Sequence, residues 1–265
     1  MNKKYFTPKK IHAYLRAAIQ LVFFLFLPSA FTTAFSGIKS VLTQIGAGNP
    51  IAWSSFLTVL LALCAYTIVF GRFFCGYACA FGTLGDAVHS LYLFLCKKCK
   101  KKPLLLKKSW KKPLSYVKYA VLLAVVLLCF LGVYGDLTGW SPWDVFSMLR
   151  SGNFKVGAYW LGCILLVLIL VGMVFCERFF CRFLCPMGAV FSLLPILPFF
   201  SVRRKREKCA KGCTACEKVC PSDLSLPEDG SWNVSGDCFQ CQKCLEICPK
   251  KNAKSSIRNF RGNEI

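Results

Sequence analysis

Two cysteine-rich runs near the end of the chain have the residue types and the spacing of iron-sulfur ligands. The first run begins at Cys209 with C-A-K-G-C-T-A-C-E-K-V-C-P, and the second begins at Cys238 with C-F-Q-C-Q-K-C-L-E-I-C-P. The second run has the C-x2-C-x2-C-x3-C-P spacing of bacterial ferredoxins, and the first differs by one residue in its first gap. Three cysteines in one tight turn reach three corners of a cubane, while the fourth ligates the other cluster. The two runs therefore predict two [4Fe-4S] clusters.

The exchange of the fourth cysteine decides which residues are predicted to hold each cluster. Cluster one is assigned the ligands Cys209, Cys213, Cys216 and Cys248. Cluster two is assigned the ligands Cys238, Cys241, Cys244 and Cys220. Two zinc sites with four thiolates each are the alternative, but zinc ribbons use paired C-x2-C knuckles and have no use for two C-P runs. Between the runs, residues 221–237 are predicted to form a short hairpin.

Four further cysteines form a repeated pair earlier in the chain. The segment R-F-F-C-G-Y-A-C-A-F-G, which begins at Arg72, matches R-F-F-C-R-F-L-C-P-M-G, which begins at Arg178. Positions i and i+4 share a face of a helix, so each C-x3-C pair would offer two thiolates to one acceptor. A further Fe-S cluster or a thiol redox site is therefore a candidate at Cys75, Cys79, Cys181 and Cys185. The plainer alternative is that these are small residues that pack a crowded helix end.

The elements that position these cysteines are predicted from hydropathy. Hydrophobic residues make up 55% of the 265 residues, and four apolar stretches cover residues 17–35, 51–70, 116–134 and 156–175. Each stretch has about 20 residues, enough to cross a hydrocarbon layer roughly 30 Å thick. The fold class is therefore an α-helical membrane protein with four transmembrane helices, arranged as two parallel two-helix repeats. A membrane domain of residues 1–200, with both C-x3-C motifs at its cytoplasmic face, would precede a small cytoplasmic ferredoxin-like domain of residues 201–265, which would hold two [4Fe-4S] clusters.

The charge of the chain indicates topology rather than a nucleic-acid partner. Lys and Arg number 34 against 12 Asp and Glu, which gives a net charge of +22. The basic residues cluster beside the apolar stretches, and cytoplasmic loops carry such an excess. The sequence therefore predicts a multi-pass protein of the cytoplasmic membrane with both termini in the cytoplasm and loops 36–50 and 135–155 outside. In that reducing compartment the cysteines are expected to be ligands rather than disulfides.

The order of these motifs resembles a known family. C-R-F-L-C-P-M-G at Cys181, its counterpart at Cys75 and the two ferredoxin runs make the chain similar, from the second span onward, to the NapH/NosR-like polyferredoxin membrane proteins. This family includes the quinol-dehydrogenase subunit of periplasmic nitrate reductase and the regulator of nitrous-oxide reductase. The resemblance implies four spans, cytoplasmic clusters, and electron exchange between a cytoplasmic or quinone side and an extracytoplasmic acceptor, in some members a flavin-carrying domain. The chain departs from the family at Ala80, where proline is usual.

These observations lead to one preferred function and one alternative. The preferred function is a membrane-bound iron-sulfur protein that passes electrons between a cytoplasmic or quinone donor and an extracytoplasmic reductase or flavoprotein. Whether the chain is itself an enzyme stays open, since it would act as the electron-transfer subunit of an oxidoreductase system. The alternative is a membrane protein for redox sensing or metalloenzyme assembly. The external segment G-W-S-P-W-D, which ends at Asp144, is a candidate docking surface for a redox partner or a membrane anchor.

Overall fold

The structure is a computed structural model that describes residues 8–26, 30–135, 140–154, 157–195, 200–233, 235–250 and 252–257. The described part is mainly helical and ends in a small sheet. The helices are α1 Pro8–Phe26, α2 Ala30–Gly46, α3 Ser55–Phe70, α4 Phe73–Tyr77, α5 Ala80–Lys98, α6 Lys108–Leu114, α7 Val117–Phe130, α8 Pro142–Arg150, α9 Trp160–Phe175, α10 Phe179–Phe183, α11 Pro186–Leu193, α12 Ala215–Lys218 and α13 Lys243–Ile247. The strands are β1 Phe200–Lys205, β2 Asp229–Trp232 and β3 Lys254–Ile257.

Both C-x3-C motifs lie in the same sequence of helices. An apolar helix of 16 residues, α3 or α9, is followed by a helix of five residues, α4 or α10, and then by α5 or α11. Both long helices are rich in Leu, Val and Ile on every face, which suits burial in an apolar environment. The short helix, α4 or α10, changes the direction of the chain before α5 or α11 begins. Each pair of cysteines is thereby placed at the end of an apolar helix.

The apolar helices differ in length. One helical stretch, Ser109–Phe130, has 22 residues and is long and apolar enough to cross a bilayer by itself. Three further apolar helical stretches are shorter: Ala13–Phe26, Ser55–Phe70 and Trp160–Phe175. The arrangement of four transmembrane helices as two parallel repeats therefore stays a prediction.

The first predicted span is wrong in its boundaries. Residues 17–35 are divided between α1 and α2, with residues 27–29 outside the described residues. The α1 helix packs across α4, α5 and α13, whereas α2 packs on α3 and α7 and continues to Gly46. Residues 36–46, the part of α2 beyond the predicted span, were predicted to lie in an external loop because Ser, Thr, Lys and Gln lower the mean hydropathy there. One face of α1 packs on α5 through buried Gln20, which donates to the Asp86 carboxylate at 2.8 Å.

The sheet corrects the predicted hairpin. The strand order is β2-β1-β3, and both pairings with β1 are antiparallel. Strand β2 therefore pairs with β1, which precedes the first cysteine run, and not with a neighbour inside residues 221–237. Val202 of β1 is buried in a small core with Cys216, Leu226 and Ala253. This core brings the two cysteine runs together, because each of them contributes residues to it.

Candidate iron-sulfur sites

The predicted ligands of cluster one are linked by hydrogen bonds to their sulfur atoms. The backbone amide of Asn252 donates to Cys248 Sγ at 3.2 Å, and its side-chain Nδ2 donates to Cys209 Sγ at 3.2 Å. Arg204 Nη1 donates to Cys216 Sγ at 3.1 Å. Such donors stabilise thiolates and tune the potentials of iron-sulfur clusters. Asn252 thus connects the first cysteine of one run with the last cysteine of the other.

The predicted ligands of cluster two surround one cavity. Its lining includes Cys220, Cys238, Cys241 and Cys244. The loop that carries three of them is tightly wound, since Gln240 and Gln242 on either side of Cys241 adopt left-handed backbone with φ of 52° and 59°. Burial raises the pKa of the Cys238 thiol to about 12. A buried thiol of this kind becomes a thiolate only beside a compensating positive charge, and iron would supply it.

The spacing of these side chains also bears on the zinc alternative. A tetrahedral zinc site draws its thiolates to about 2.3 Å from one ion. In the described ranges, no group of three or more His, Cys, Asp or Glu side chains lies close enough together to hold a single metal ion. This finding covers both runs and the earlier cysteine pairs alike, so the preference for iron over zinc rests on the ferredoxin spacing and the two C-P runs.

The four cysteines of the repeated pairs meet in one buried place. Cys75 lies in α4 and Cys181 in α10, while Cys79 and Cys185 are the residues that begin α5 and α11. Cys79 and Cys181 share a hydrogen bond, and Cys185 lies close enough to Cys75 and Cys79 to interact with both electrostatically. All four are buried. We call this group the cysteine quartet.

The backbone between the two cysteines of each pair differs from the single helix that was predicted. The two cysteines of a pair do not share one helix, because the chain turns after the short helix and the amide of the second cysteine bonds back to a carbonyl five residues earlier. The distances are 3.0 Å from Cys79 N to Phe74 O and 2.9 Å from Cys185 N to Phe180 O. The prediction of two thiols on one helical face is therefore wrong, although the predicted meeting of the four residues is found.

Helix N-termini face two of the quartet sulfurs. Gly188 N donates to Cys185 Sγ at 3.2 Å. The hydrogen bond from Cys181 and the amides of Gly82 and Phe81 outweigh burial and lower the pKa of Cys79 to about 7. Amides at the start of a helix favour negative charge. The close packing here also explains why the motif has a glycine at this position. A Cβ on Gly188 would lie 3.0 Å from the Cys181 carbonyl oxygen and 3.5 Å from Cys185 Sγ.

Two buried arginines cross between the repeats beside the quartet. Arg72 and Arg178 are each 1% exposed. Arg178 donates to the Cys75 carbonyl at 2.6 Å and the Gly76 carbonyl at 2.9 Å, while Arg72 donates to the carbonyl of Gly188. Each arginine therefore holds the cysteine motif of the other repeat. The motif places an arginine three residues before each cysteine pair, but no short sequence pattern indicates this exchange between the repeats.

Asp86 neutralises Arg178 and was missed by sequence reasoning. Its two carboxylate oxygens accept hydrogen bonds from Arg178 at 2.9 and 2.6 Å, and Gln20 of α1 donates to it at 2.8 Å. Burial raises the pKa of Asp86, but the Arg178 guanidinium outweighs burial and holds that pKa well below its usual value. The bidentate geometry is the strong form of this ion pair. The sequence feature that could have indicated Asp86 is a single acidic residue in the apolar half of α5.

The second cysteine run lies directly on the quartet. Phe239, which follows Cys238, has its ring 5.8 Å from the guanidinium carbon of Arg72 and 5.1 Å from that of Arg178. Cations at this distance are attracted to the face of an aromatic ring. A Cβ placed on Gly76 would lie 2.3 Å from the Phe239 carbonyl oxygen, so the two backbones touch. The predicted cluster two is therefore the one that faces the quartet.

Two acidic residues of the C-terminal part attach it to the basic ends of the helices. Asp223 pairs with Arg182 at 2.7 Å and with Lys111 at 3.3 Å. Asp237 pairs with Lys118, which is 1% exposed, and lies 3.5 Å from Arg72. Some of the basic residues on which the predicted topology rests therefore also form ion pairs that hold the cysteine-rich segment in place.

An aromatic group joins the quartet to α8, which lies in the loop predicted to be external. Phe81 and Phe180, which neighbour the quartet, have ring centroids 4.5 Å apart. Phe146 of α8 is 4.4 Å from Phe81, and Trp143 of α8 is 6.5 Å from Phe180. Trp143 is buried, so this part of the candidate docking segment is core; its first residue, Gly139, lies outside the described residues.

Comparisons with known proteins agree with this site. A family model described as a 4Fe-4S binding domain matches residues 52–113 and 158–206, and each range contains one C-x3-C pair. The uncharacterized protein MJ0750 of Methanocaldococcus jannaschii is 30% identical over 91% of this chain and 92% of its own length. The putative electron transport protein YccM of Escherichia coli is 27% identical over 81% of this chain and 59% of its own. The ferredoxin-type protein NapH of Haemophilus influenzae is 26% identical over 73% and 65%. No solved structure matches the chain.

Proposed function

Since this chain belongs to the NapH/NosR-like family of ferredoxin-type electron-transport proteins, we propose that it passes electrons across the cytoplasmic membrane. The donor is a cytoplasmic carrier or a quinone, and the acceptor is an extracytoplasmic reductase or flavoprotein. Residues 1–200 form the multi-pass membrane part, and residues 201–265 form a cytoplasmic ferredoxin-like part. The excess of Lys and Arg beside the apolar helices supports cytoplasmic termini.

One observation carries this proposal: the second cysteine run rests on the quartet through Phe239. A [4Fe-4S] cluster supplies a one-electron redox centre when it is bound. Cluster one would be held by Cys209, Cys213, Cys216 and Cys248, and cluster two by Cys238, Cys241, Cys244 and Cys220. The quartet, Cys75, Cys79, Cys181 and Cys185, would hold a third cluster. In this proposal the three groups of thiols form a series that leads from the cytoplasm toward α8.

The residues around the quartet prepare it for an anionic centre. Arg72 and Arg178 bring two buried positive charges; Asp86 pairs with Arg178, and Asp237 lies 3.5 Å from Arg72. The amides at the starts of α5 and α11 point at sulfur. The aromatic side chains that cover the quartet exclude water and connect it with α8. These groups favour negative charge on Cys79, whereas burial raises the pKa of the Cys75 thiol to about 12, so that sulfur would need the positive charge of iron to become a thiolate.

The burial of the quartet favours a relay over redox sensing or metalloenzyme assembly. A sensor needs thiols or a cluster that solvent and oxidants reach. All four quartet cysteines and Cys241 of the second run are buried. Electron transfer to a protein partner does not need such access, because the electron tunnels.

The quartet provides the experiment that tests the proposed function. Replacing Cys75, Cys79, Cys181 and Cys185 together by Ser should abolish reduction of an extracytoplasmic acceptor by reduced protein in liposomes. The expected reason is that the middle of the path is lost, while the C-terminal clusters stay reducible and keep their EPR signals. As a matched control, Cys96→Ser with Cys99→Ser changes cysteines at the exposed end of α5. Acceptor reduction at the wild-type rate in the four-serine variant would refute the relay.

A further inference from the structure

A basic groove lies on the C-terminal part beside cluster one. It has a volume of about 300 Å³ and is lined by residues of β1, β3 and the segments that flank the cysteine runs. Its exposed charges are the side chains of four lysines: Lys205, Lys208, Lys250 and Lys254. None of the described residues that line it is acidic. The buried Arg204 is already balanced by Glu217 and Glu228, at 3.6 and 3.9 Å. Asp229 lies opposite Lys205 in the sheet, but within the described ranges none of these four lysines forms an ion pair, so they leave a positive surface.

The groove is connected to the predicted ligands of cluster one through a single residue. Asn252 lines the groove, and its Nδ2 donates both to the Lys205 carbonyl at 2.6 Å and to Cys209 Sγ at 3.2 Å. Its backbone amide donates to Cys248 Sγ. A molecule seated in the groove would therefore be separated from two cluster ligands by one side chain.

The position of the groove agrees with an entry point for electrons. The second run, with Phe239, covers the quartet, so cluster two faces the helical part. Asn252 places the groove beside predicted ligands of cluster one, whereas Phe239, which packs on Arg72 and Arg178, lies between two predicted ligands of cluster two.

We propose that the groove docks a small acidic one-electron carrier protein that delivers electrons to cluster one. This inference rests on the proposed function. In the transfer, the reduced carrier loses one electron and the chain gains it; no covalent bond changes and no proton is required. Complementary charge steers such encounters, raises association rates by about 10- to 1000-fold, and makes them sensitive to salt. An acidic carrier is therefore the partner that fits four exposed lysines beside a cluster.

Charge removal in the groove tests the inference. In the variant with Lys205→Gln, Lys208→Gln, Lys250→Gln and Lys254→Gln, the association rate of an acidic bacterial ferredoxin should fall by at least about tenfold at low salt. The matched control changes four exposed lysines elsewhere, Lys97, Lys98, Lys100 and Lys101, to Gln. Binding of the oxidised ferredoxin to full-length protein in detergent is measured by titration calorimetry, and electron delivery from the reduced ferredoxin by stopped flow. The control should bind as the wild type does.

Three further readings separate the possible outcomes. Iron content and reduction by methyl viologen should be the same in the wild type and both variants, and a wild type that lacks iron would overturn the proposed function instead. Equal ferredoxin binding by both variants would overturn the docking site alone. The groove variant could instead lose binding to vesicles of phosphatidylglycerol while it keeps ferredoxin binding. That result would assign the lysines to a lipid surface and would also overturn the proposed docking site.

Discussion

Replacing Arg178 by Met is expected to destabilise the protein by about 3–5 kcal/mol. The change leaves the Asp86 carboxylate buried without its bidentate partner, and it removes the donor to the carbonyls of Cys75 and Gly76. It also removes one of the two guanidinium groups that face Phe239. The free energy of unfolding in detergent, from a denaturant titration, gives the measurement.

A double-mutant cycle makes the Arg178 prediction specific. Asp86→Asn combined with Arg178→Met should recover part of the loss, because no buried charge then stays uncompensated. Lys101→Met serves as the control, since that lysine is exposed, and it should change stability by no more than about 0.5 kcal/mol. Strictly additive effects of the Asp86 and Arg178 changes would show that the two side chains do not depend on each other.

Replacing Gly76 by Ala is expected to push the second cysteine run away from the quartet. The new Cβ would lie 2.3 Å from the carbonyl oxygen of Phe239, which is backbone and cannot rotate aside. Overpacking of this kind costs about 1–3 kcal/mol. We expect iron content to be retained, because no ligand changes, while reduction of an external acceptor slows strongly.

The Gly76 prediction has a close control within the chain. A Cβ on Gly157 would have no described neighbour within 4 Å, so Gly157→Ala should leave both stability and electron transfer unchanged. Acceptor reduction in liposomes and the midpoint of thermal unfolding are compared for the two variants. Acceptor reduction at the wild-type rate in Gly76→Ala would show that contact between the run and the quartet is not part of the path.

The cysteine groups were accessible from sequence because their chemistry is local. A C-x2-C-x2-C-x3-C-P run specifies three ligands within one turn. The exchange of the fourth ligand stays a prediction; the structure adds that Asn252 donates to the sulfurs of both Cys209 and Cys248. The repeat likewise predicted that the quartet would meet. Its mechanism differs, because Cys79 and Cys185 begin new helices instead of continuing the first.

The features that sequence reasoning missed depend on contacts between distant segments. The partners of Asp86 come from α1 and from the second repeat, and no short pattern connects these residues. The placement of α8 on Phe81 and Phe180 depends on specific aromatic contacts, which a mean hydropathy over a window of residues does not indicate. The packing of α1 on α5 likewise depends on the contact between Gln20 and Asp86, which hydropathy does not indicate.

Iron and acid-labile sulfide, quantified anaerobically together with EPR, test most directly whether the cysteine groups hold iron cubanes in series. Wild-type protein should contain about twelve iron and twelve sulfide ions, and the four-serine variant of the quartet about eight of each. Isolation of the wild-type chain with zinc and without acid-labile sulfide would contradict this arrangement.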